Sequence, residues 1–244
     1  MAFLDKFLGS DQALSQPDFD KAPTVDIRFS DIQLRFQDPA HTALYPIHDW
    51  PESMDIFDNR NYEKIENGRL MKNFHSKGWD LKGRFNRERG GVIVDGSIEK
   101  YTGDTGIHSY LDKKCFETYV MNYIQRNWGR QNKGAKPGSL GEGPYVYPVT
   151  GKELQYVKHN EVIWCHVEVY IPGKVPVGIY FTPITSEHLI VFRIRFDMYQ
   201  GLDFFSPETN IKEACYQVVD NFMSNFHIAI SDETKKQQAQ LAQN

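Results

Sequence analysis

Three consecutive stretches near the C-terminus alternate apolar and polar residues with a period of two. They are Val162–Ile171, Val175–Phe181 and Leu189–Met198. Because successive side chains of a β-strand point to opposite faces, each stretch predicts a strand with one apolar and one polar face. Together they predict an antiparallel meander with one buried face. A second layer must cover that face, so this pattern limits the architectures open to the chain.

The predicted buried face of the meander is made of the alternate apolar residues. They are Ile163, Cys165, Val167, Val169, Ile171, Val175, Val177, Ile179, Phe181, Ile190, Phe192, Ile194, Phe196 and Met198. The opposite face would carry polar and aromatic side chains. We predict a ligand- or partner-binding surface there, formed by Trp164, His166, Glu168, Tyr170, Tyr180, Arg193 and Arg195. Arginine binds carboxylates and phosphates through two parallel hydrogen bonds, which favours an anionic ligand. The alternative is a solvated face with cross-strand charge pairs, which needs no ligand.

Further strands and two helices complete the predicted fold. Alternation predicts strands at 25–29, 32–36 and 92–98, with a bulge or a tight turn at Ser30-Asp31 and a hairpin turn at Asn67-Gly68. One helix is predicted to open at Ser109, and another at Ser206, because a serine side chain can cap a helix. Apolar stripes follow both positions. The predicted class is α+β: an antiparallel sheet with a C-terminal three-stranded meander and two main helices packed on its apolar face.

The predicted domain organisation is simple. Residues 1–24 form an exposed lead-in, residues 25–230 form a single α+β domain, and residues 231–244 form a polar, Gln-rich tail that we expect to fray. A Gly/Pro-rich stretch at 134–151 is either a surface loop or a boundary within the domain. A surface loop is favoured, because the meander needs a covering layer from the rest of the chain.

Composition and charge exclude some classes of function. No apolar run reaches the length of a membrane span, and no secretory signal is recognisable at the N-terminus. The three cysteines are widely spaced, which favours reduced thiols in a soluble cytoplasmic protein. Residues 69–89 hold seven Lys and Arg against two acids, interleaved with Phe74, Trp79 and Phe85. That mixture suits single-stranded nucleic acid, but the overall pI of about 6.1 argues against it.

The catalytic and cofactor motifs that we tested fail on context. Asp104-Thr105-Gly106 lacks the apolar strand that precedes an aspartic-protease triplet, and the glycines at 138–143 lack the strand and helix of a phosphate loop. Cys165 and His166 are sequence neighbours, so a strand would point them apart. His41, His48 and Asp49 lack a metal-binding spacing. We therefore expect no cofactor and no metal site.

These observations favour a non-enzymatic binding or protein-interaction protein, whose partner is a protein or a small anionic ligand. The alternative is a small hydrolase or transferase with acids and histidines assembled from distant loops. An enzyme should place His166 or Glu168 in a concave pocket with a perturbed pKa. A binding module should instead present a flat, exposed, aromatic-rich patch.

Overall fold

The computed structural model describes residues 14–43, 51–65, 68–83, 86–101, 107–134, 144–199 and 202–243. The strands in these ranges are β1 Thr24–Phe29, β2 Ile32–Gln37, β3 Ser53–Met54, β4 Glu63–Ile65, β5 Arg69–Lys82, β6 Glu88–Tyr101, β7 Gln155–His159, β8 Val162–Val169, β9 Val177–Pro183, β10 His188–Met198 and β11 His227–Ala229. The helices are α1 Lys113–Ile124, α2 Arg130–Gly134, α3 Ile211–Ser224 and α4 Asp232–Leu241. A π-helical turn, Gln125–Gly129, joins α1 to α2.

The strands form two sheets. The larger has seven strands in the order β4-β5-β6-β10-β9-β8-β7, and the smaller has four in the order β11-β2-β1-β3. All the pairings are antiparallel except β1 with β3. The predicted α+β content with mainly antiparallel strands is therefore confirmed. β1 and β2 form the predicted hairpin, with Ser30 in the left-handed region at φ 54°.

The predicted starts of the two main helices are wrong, because each serine caps a turn outside its helix. Ser109 Oγ accepts from the Leu111 amide at 3.1 Å, and α1 begins four residues later, where Asp112 Oδ1 accepts from the Cys115 amide at 2.9 Å. Ser206 Oγ likewise accepts from the Glu208 amide at 3.3 Å. α3 follows a left-handed residue, Asn210, that makes no side-chain cap.

The predicted face of β10 is also wrong. Residues that lie opposite each other in an antiparallel pair point to the same side of the sheet. Phe192 lies opposite Tyr180, which lies opposite His166, whereas Arg193 shares its row with Ile179 and Val167. The apolar residues assigned to β10 therefore lie on the face opposite those of β8 and β9. Alternation could not fix this face because β10 is covered on both sides and reads Leu-Ile-Val-Phe at its start.

The two main helices cover opposite faces of the large sheet, so their predicted placement on one face is wrong. α1 contributes Phe116, Tyr119 and Val120 to a core with Val167, Phe181 and other residues, which we call the α1 core. α3 contributes Val218 and Phe222 to a larger core with Trp164, Phe192 and the small sheet, which we call the α3 core. Each face of the large sheet thus has a covering layer of its own.

The two ends of the described chain are packed more closely than the sequence indicated. In the predicted lead-in, Phe19 is buried and makes an edge contact with Trp79 at 5.5 Å between ring centroids. In the predicted fraying tail, residues 232–241 form α4, whose Gln238 and Leu241 side chains are buried. A buried glutamine is rare unless it is hydrogen-bonded, which is why composition alone indicated an exposed tail.

Gly96 in β6 gives a test of the α3 core. A Cβ atom at this position would lie 2.6 Å from Cε1 of Phe192 and 3.1 Å from Cβ of His75. We expect Gly96→Ala to lower the free energy of unfolding by about 1–3 kcal/mol through overpacking, measured by urea denaturation. Gly178→Ala on the same sheet face is the matched control, because its nearest new contact is an ordinary 3.7 Å to Ile194. Equal costs for both variants would contradict the tight packing of Phe192 on Gly96.

Candidate functional site

The structure does not bring the seven predicted site residues together on one surface. Trp164, His166 and Glu168 of β8 and Tyr180 of β9 point toward the α3 side of the sheet, whereas Arg193 and Arg195 point toward the α1 side. Tyr170 follows β8 and pairs with Val146 in an isolated bridge. The predicted surface is therefore divided between two places.

Two of the predicted aromatic residues are core residues of the α3 side. Trp164 is 1% exposed and packs against Phe192 and Phe226, with centroids 5.6 and 6.2 Å away. Tyr180 is buried and stacks on the His166 ring at 4.3 Å. Neither ring presents a flat, exposed aromatic surface to a partner.

His166, Glu168 and Tyr170 line a cavity at the edge of the large sheet, which we call the edge cavity. It measures about 410 Å³, and Glu153 and Gln155 are also in its wall. The Tyr216 hydroxyl donates to Glu168 Oε1 at 2.6 Å. Burial lowers the pKa of His166, although Glu168 opposes this effect, so the imidazole is neutral at pH 7. The cavity thus combines a neutral histidine with two carboxylates.

A second cavity of about 410 Å³ lies on the α1 side, and we call it the arginine cavity. Strands β5, β6 and β10 form its floor, and α1 with the following π-helical turn forms its wall. This arrangement follows from the register, because Ser76 of β5, Asp95 of β6 and Arg193 of β10 form one row across the sheet. Its polar lining residues are Arg69, Asn73, His75, Ser76, Asp95, Ser97, Glu99, Tyr123, Asn127 and Arg193.

Arg69, Glu99 and Tyr119 form a buried hydrogen-bonded group at one end of the arginine cavity. Arg69 Nη2 donates to Glu99 Oε2 at 2.5 Å, and the Tyr119 hydroxyl donates to the same oxygen. Burial lowers the pKa of Arg69, but the Glu99 carboxylate more than offsets this, so the net pKa is raised. Burial and the Glu99 charge raise the pKa of Tyr119. At neutral pH the Arg69 guanidinium and the neutral Tyr119 phenol therefore both donate to the Glu99 carboxylate.

Tyr123 places the two buried arginines beside each other. Arg193 Nη2 donates to its hydroxyl at 2.6 Å, and the Arg69 guanidinium carbon lies 4.9 Å from the ring centroid. The Nε atoms of both arginines are buried and have no hydrogen-bond partner among the described residues. A buried N–H group without a partner is costly, so an acceptor placed at either Nε would be stabilising.

Asp95 and Arg195 lie at the rim of the arginine cavity. Asp95 accepts from the Ser76 hydroxyl at 2.7 Å and from Arg195 Nη2 at 2.9 Å. Arg195 is about half exposed, so this pair contributes little stability. Within the lining, two arginines (69 and 193) stand against two carboxylates (95 and 99), and Arg195 pairs with Asp95 at the rim. The two guanidiniums are the groups of the cavity that could bind an anion.

Sequence reasoning found only part of the arginine cavity. It identified Arg193, whereas Asp95 and Glu99 come to the same strand face through the register of β6 with β10. Tyr119 and Tyr123 fall within the apolar stripe that follows Ser109, and Arg69 is one of the seven basic residues of 69–89. Two tyrosines at i and i+4 put two hydroxyls on one helix face, and this spacing was the sequence signal for a polar site beside α1.

Of the other candidate ligand and aromatic residues considered in the sequence, those that the structure describes do not line either cavity. His41 Nδ1 accepts from the Gly78 amide at 2.9 Å. His48, Asp49, the Asp104-Thr105-Gly106 triplet and the glycines at 138–143 lie outside the described residues. Phe74 and Trp79 of the basic stretch are each 1% exposed in the α3 core, and Phe85 lies outside the described residues. Within the described part of the chain, no helix is long and apolar enough to cross a membrane.

Comparison with known proteins adds no relationship: no protein-family model and no curated protein matches this chain.

Proposed function

We propose that the arginine cavity of this chain binds a small anionic ligand. The observation that carries the proposal is the pair of buried guanidiniums, Arg69 and Arg193, that line one cavity with unpartnered Nε donors. A carboxylate or phosphate oxygen in the cavity would accept from the N–H groups of these guanidiniums. The volume of about 410 Å³ lies in the ordinary range for small-molecule sites.

The rest of the lining limits the kind of anion. Asn73, Ser97 and Asn127 offer neutral hydrogen-bonding groups, while Met71 and Val191 offer apolar surface. Because Glu99 and Asp95 place two carboxylates in the same walls, a ligand with several anionic groups would meet repulsion as well as attraction. The lining suits a ligand that carries one carboxylate or phosphate group on a small polar body.

Arg193 is the residue of choice for a test of this site. We expect Arg193→Gln to weaken binding of a monoanionic carboxylate such as lactate, and of inorganic phosphate, by about tenfold or more. A hydrogen bond to a charged group contributes about 1.5–3 kcal/mol, and 1.4 kcal/mol is a tenfold change. Isothermal titration calorimetry of the full chain with each probe would measure the change.

Arg195→Gln is the matched control. It removes the same charge from the same strand, but Arg195 is about half exposed and contacts Asp95 at the rim. We expect its affinity for either probe to stay within about threefold of the unaltered chain, because exposed charges are screened by solvent and salt. The proposal would be overturned if neither probe binds, or if both variants lose affinity equally.

A second candidate function belongs to the edge cavity, where His166 is neutral beside Glu168 and Glu153. A neutral imidazole is the form that acts as a general base, and a carboxylate can orient it or act as an acid. This arrangement favours a small hydrolase or transferase. Arg193→Gln leaves the edge cavity unaltered, so an activity that survives this change would belong to the edge cavity.

A further inference from the structure

Three residues with different donor atoms come together at the start of α1, away from both cavities. The ligand atoms of His108, Asp112 and Cys115 all lie within 4.8 Å of one another. The imidazole and the carboxylate residues are exposed, and the cysteine is buried beneath them. Nitrogen, oxygen and sulfur donors in one cluster are the set that binds Zn²⁺ and similar ions.

The local fold explains why these side chains converge. Asp112 is the N-cap of α1 and Cys115 is three residues later, a spacing that puts the two side chains beside each other. The preceding turn returns His108 to them, since the Asp112 amide donates to the Ser109 carbonyl at 3.3 Å. Tyr110, within that turn, is buried and its amide donates to the Ser186 carbonyl at 2.8 Å. The cluster is thus anchored to the loop that joins β9 to β10.

The distance between sulfur and nitrogen fits a shared metal ion. Cys115 Sγ lies 3.6 Å from His108 Nδ1. A tetrahedral zinc ion with bonds of about 2.3 Å to sulfur and about 2.0 Å to nitrogen holds those atoms about 3.6 Å apart. Asp112 uses Oδ1 to cap the helix, which leaves Oδ2 for an ion. Rotation of this exposed carboxylate would complete three ligands without movement of the helix.

We propose that His108, Asp112 and Cys115 bind one divalent transition-metal ion of the zinc class. A carboxylate and a thiolate would balance the two positive charges of the ion. These anionic ligands also offset the repulsion between the ion and the positive N-terminal end of the α1 dipole. Zinc takes four ligands in a tetrahedron, so three protein ligands leave a fourth position for water. On binding, the Cys115 thiol releases its proton to solvent and its contact with His108 is replaced by two metal bonds.

Cobalt is the most direct probe, because a thiolate bound to Co²⁺ gives an intense charge-transfer band in the near ultraviolet. We expect the full chain, kept reduced with a phosphine rather than a thiol, to bind one Co²⁺ with this band and to release it to Zn²⁺. Cys115→Ser should abolish the band. His108→Gln and Asp112→Asn should each weaken binding by about tenfold or more, since even a change in a residue that only orients a metal ligand costs that much.

The controls separate metal binding from loss of the fold. Cys215→Ala removes a thiol that is buried in the α3 core, and it should leave the cobalt band unchanged. Asp112→Asn keeps a side-chain oxygen able to cap α1, and His108 is exposed, so both variants should fold with an unchanged circular dichroism spectrum. Absence of a stoichiometric cobalt complex would overturn the proposal. So would a band that survives Cys115→Ser, or equal affinity in His108→Gln.

Discussion

Lowering the pH from 7 to 5 is expected to reduce the free energy of unfolding by roughly 4 kcal/mol, through two buried histidines. Burial lowers the pKa of His75 to about 3, with a smaller contribution from Lys77. Burial also lowers the pKa of His188 to about 4, although its hydrogen bond to Ile56 opposes the effect. Both are neutral in the folded protein at pH 7, and both would be charged in the unfolded chain below about pH 6.5.

The contacts of these histidines explain why the charged form is excluded. His75 packs among aromatic rings of the α3 core, with Phe222 and Phe36 centroids 5.2 and 5.4 Å away. His188 Nε2 lies 2.8 Å from the Ile56 carbonyl, which only accepts, so Nε2 carries the proton. Nδ1 then accepts from the Thr185 hydroxyl at 2.8 Å. A second proton on Nδ1 would force the Thr185 hydroxyl to accept from Nδ1 instead of donating to it.

The sign of the pH effect follows from the lowered pKa values. Because the folded pKa values lie below the unfolded value of about 6.5, the unfolded chain takes up protons first as the pH falls. The stability is fully present above about pH 6.5 and is lost progressively toward pH 4 and pH 3, by at most about 1.4 kcal/mol per pH unit for each histidine. Burial raises the pKa of Asp38 and Asp80, which partly opposes this loss.

Urea denaturation at pH 7, 6 and 5 would measure this dependence. We expect His75→Leu, which keeps the site apolar, to remove about half of the loss between pH 7 and pH 5, as expected for one of two histidines. His227→Gln is the matched control, because His227 is exposed on β11, and it should leave the slope unchanged. An unchanged slope in His75→Leu would show that His75 is not a source of the pH dependence.

Local patterns predicted strands where the alternation is clear, and they predicted the environment of those strands poorly. The hairpin of β1 and β2 was predictable because alternation and the turn residue Ser30 act over a few residues. The face of β10 was not, because Leu189, Ile190, Val191 and Phe192 are all apolar and both faces of the strand are covered. In such a strand the periodicity is lost, and only the pairing with neighbouring strands fixes the orientation.

The candidate site was partly predictable for the same reason. Arg193 is the first charged residue after the apolar run Leu189–Phe192, so the sequence identifies it. Its partners Arg69 and Tyr123 come from β5 and α1, and no local pattern relates three residues so far apart in the chain. The trio His108, Asp112 and Cys115 is local, but its geometry depends on the N-cap at Asp112, which was predicted at Ser109. With the helix start placed three residues too early, at Ser109, Asp112 becomes a residue within the helix, and its role as the cap beside His108 and Cys115 is missed.

Removal of residues 232–244 is expected to lower the free energy of unfolding by roughly 3–5 kcal/mol, contrary to the expectation for a frayed tail. Leu241 is 1% exposed in the α1 core, and such a side chain contributes about 1.5–3 kcal/mol. Gln238 Nε2 donates to the Pro183 carbonyl at 2.6 Å and to the Thr182 hydroxyl at 3.1 Å. Its Oε1 also lies 3.4 Å from the Ile163 amide. Truncation would remove all of these contacts and expose the strand ends beneath them.

For a chain of this size the loss corresponds to a fall in melting temperature of about 6–20 °C, measurable by differential scanning calorimetry. Two glutamines of α4 allow a matched comparison without truncation. Gln238→Ala should destabilise the fold because it leaves buried polar groups of β8 and β9 without partners. Gln240→Ala changes an exposed residue of the same helix and should be neutral or slightly stabilising, since alanine is the better helix former. If the truncated chain melts within about 2 °C of the full chain, α4 is not part of the cooperative unit and the packing of Leu241 contributes nothing to stability.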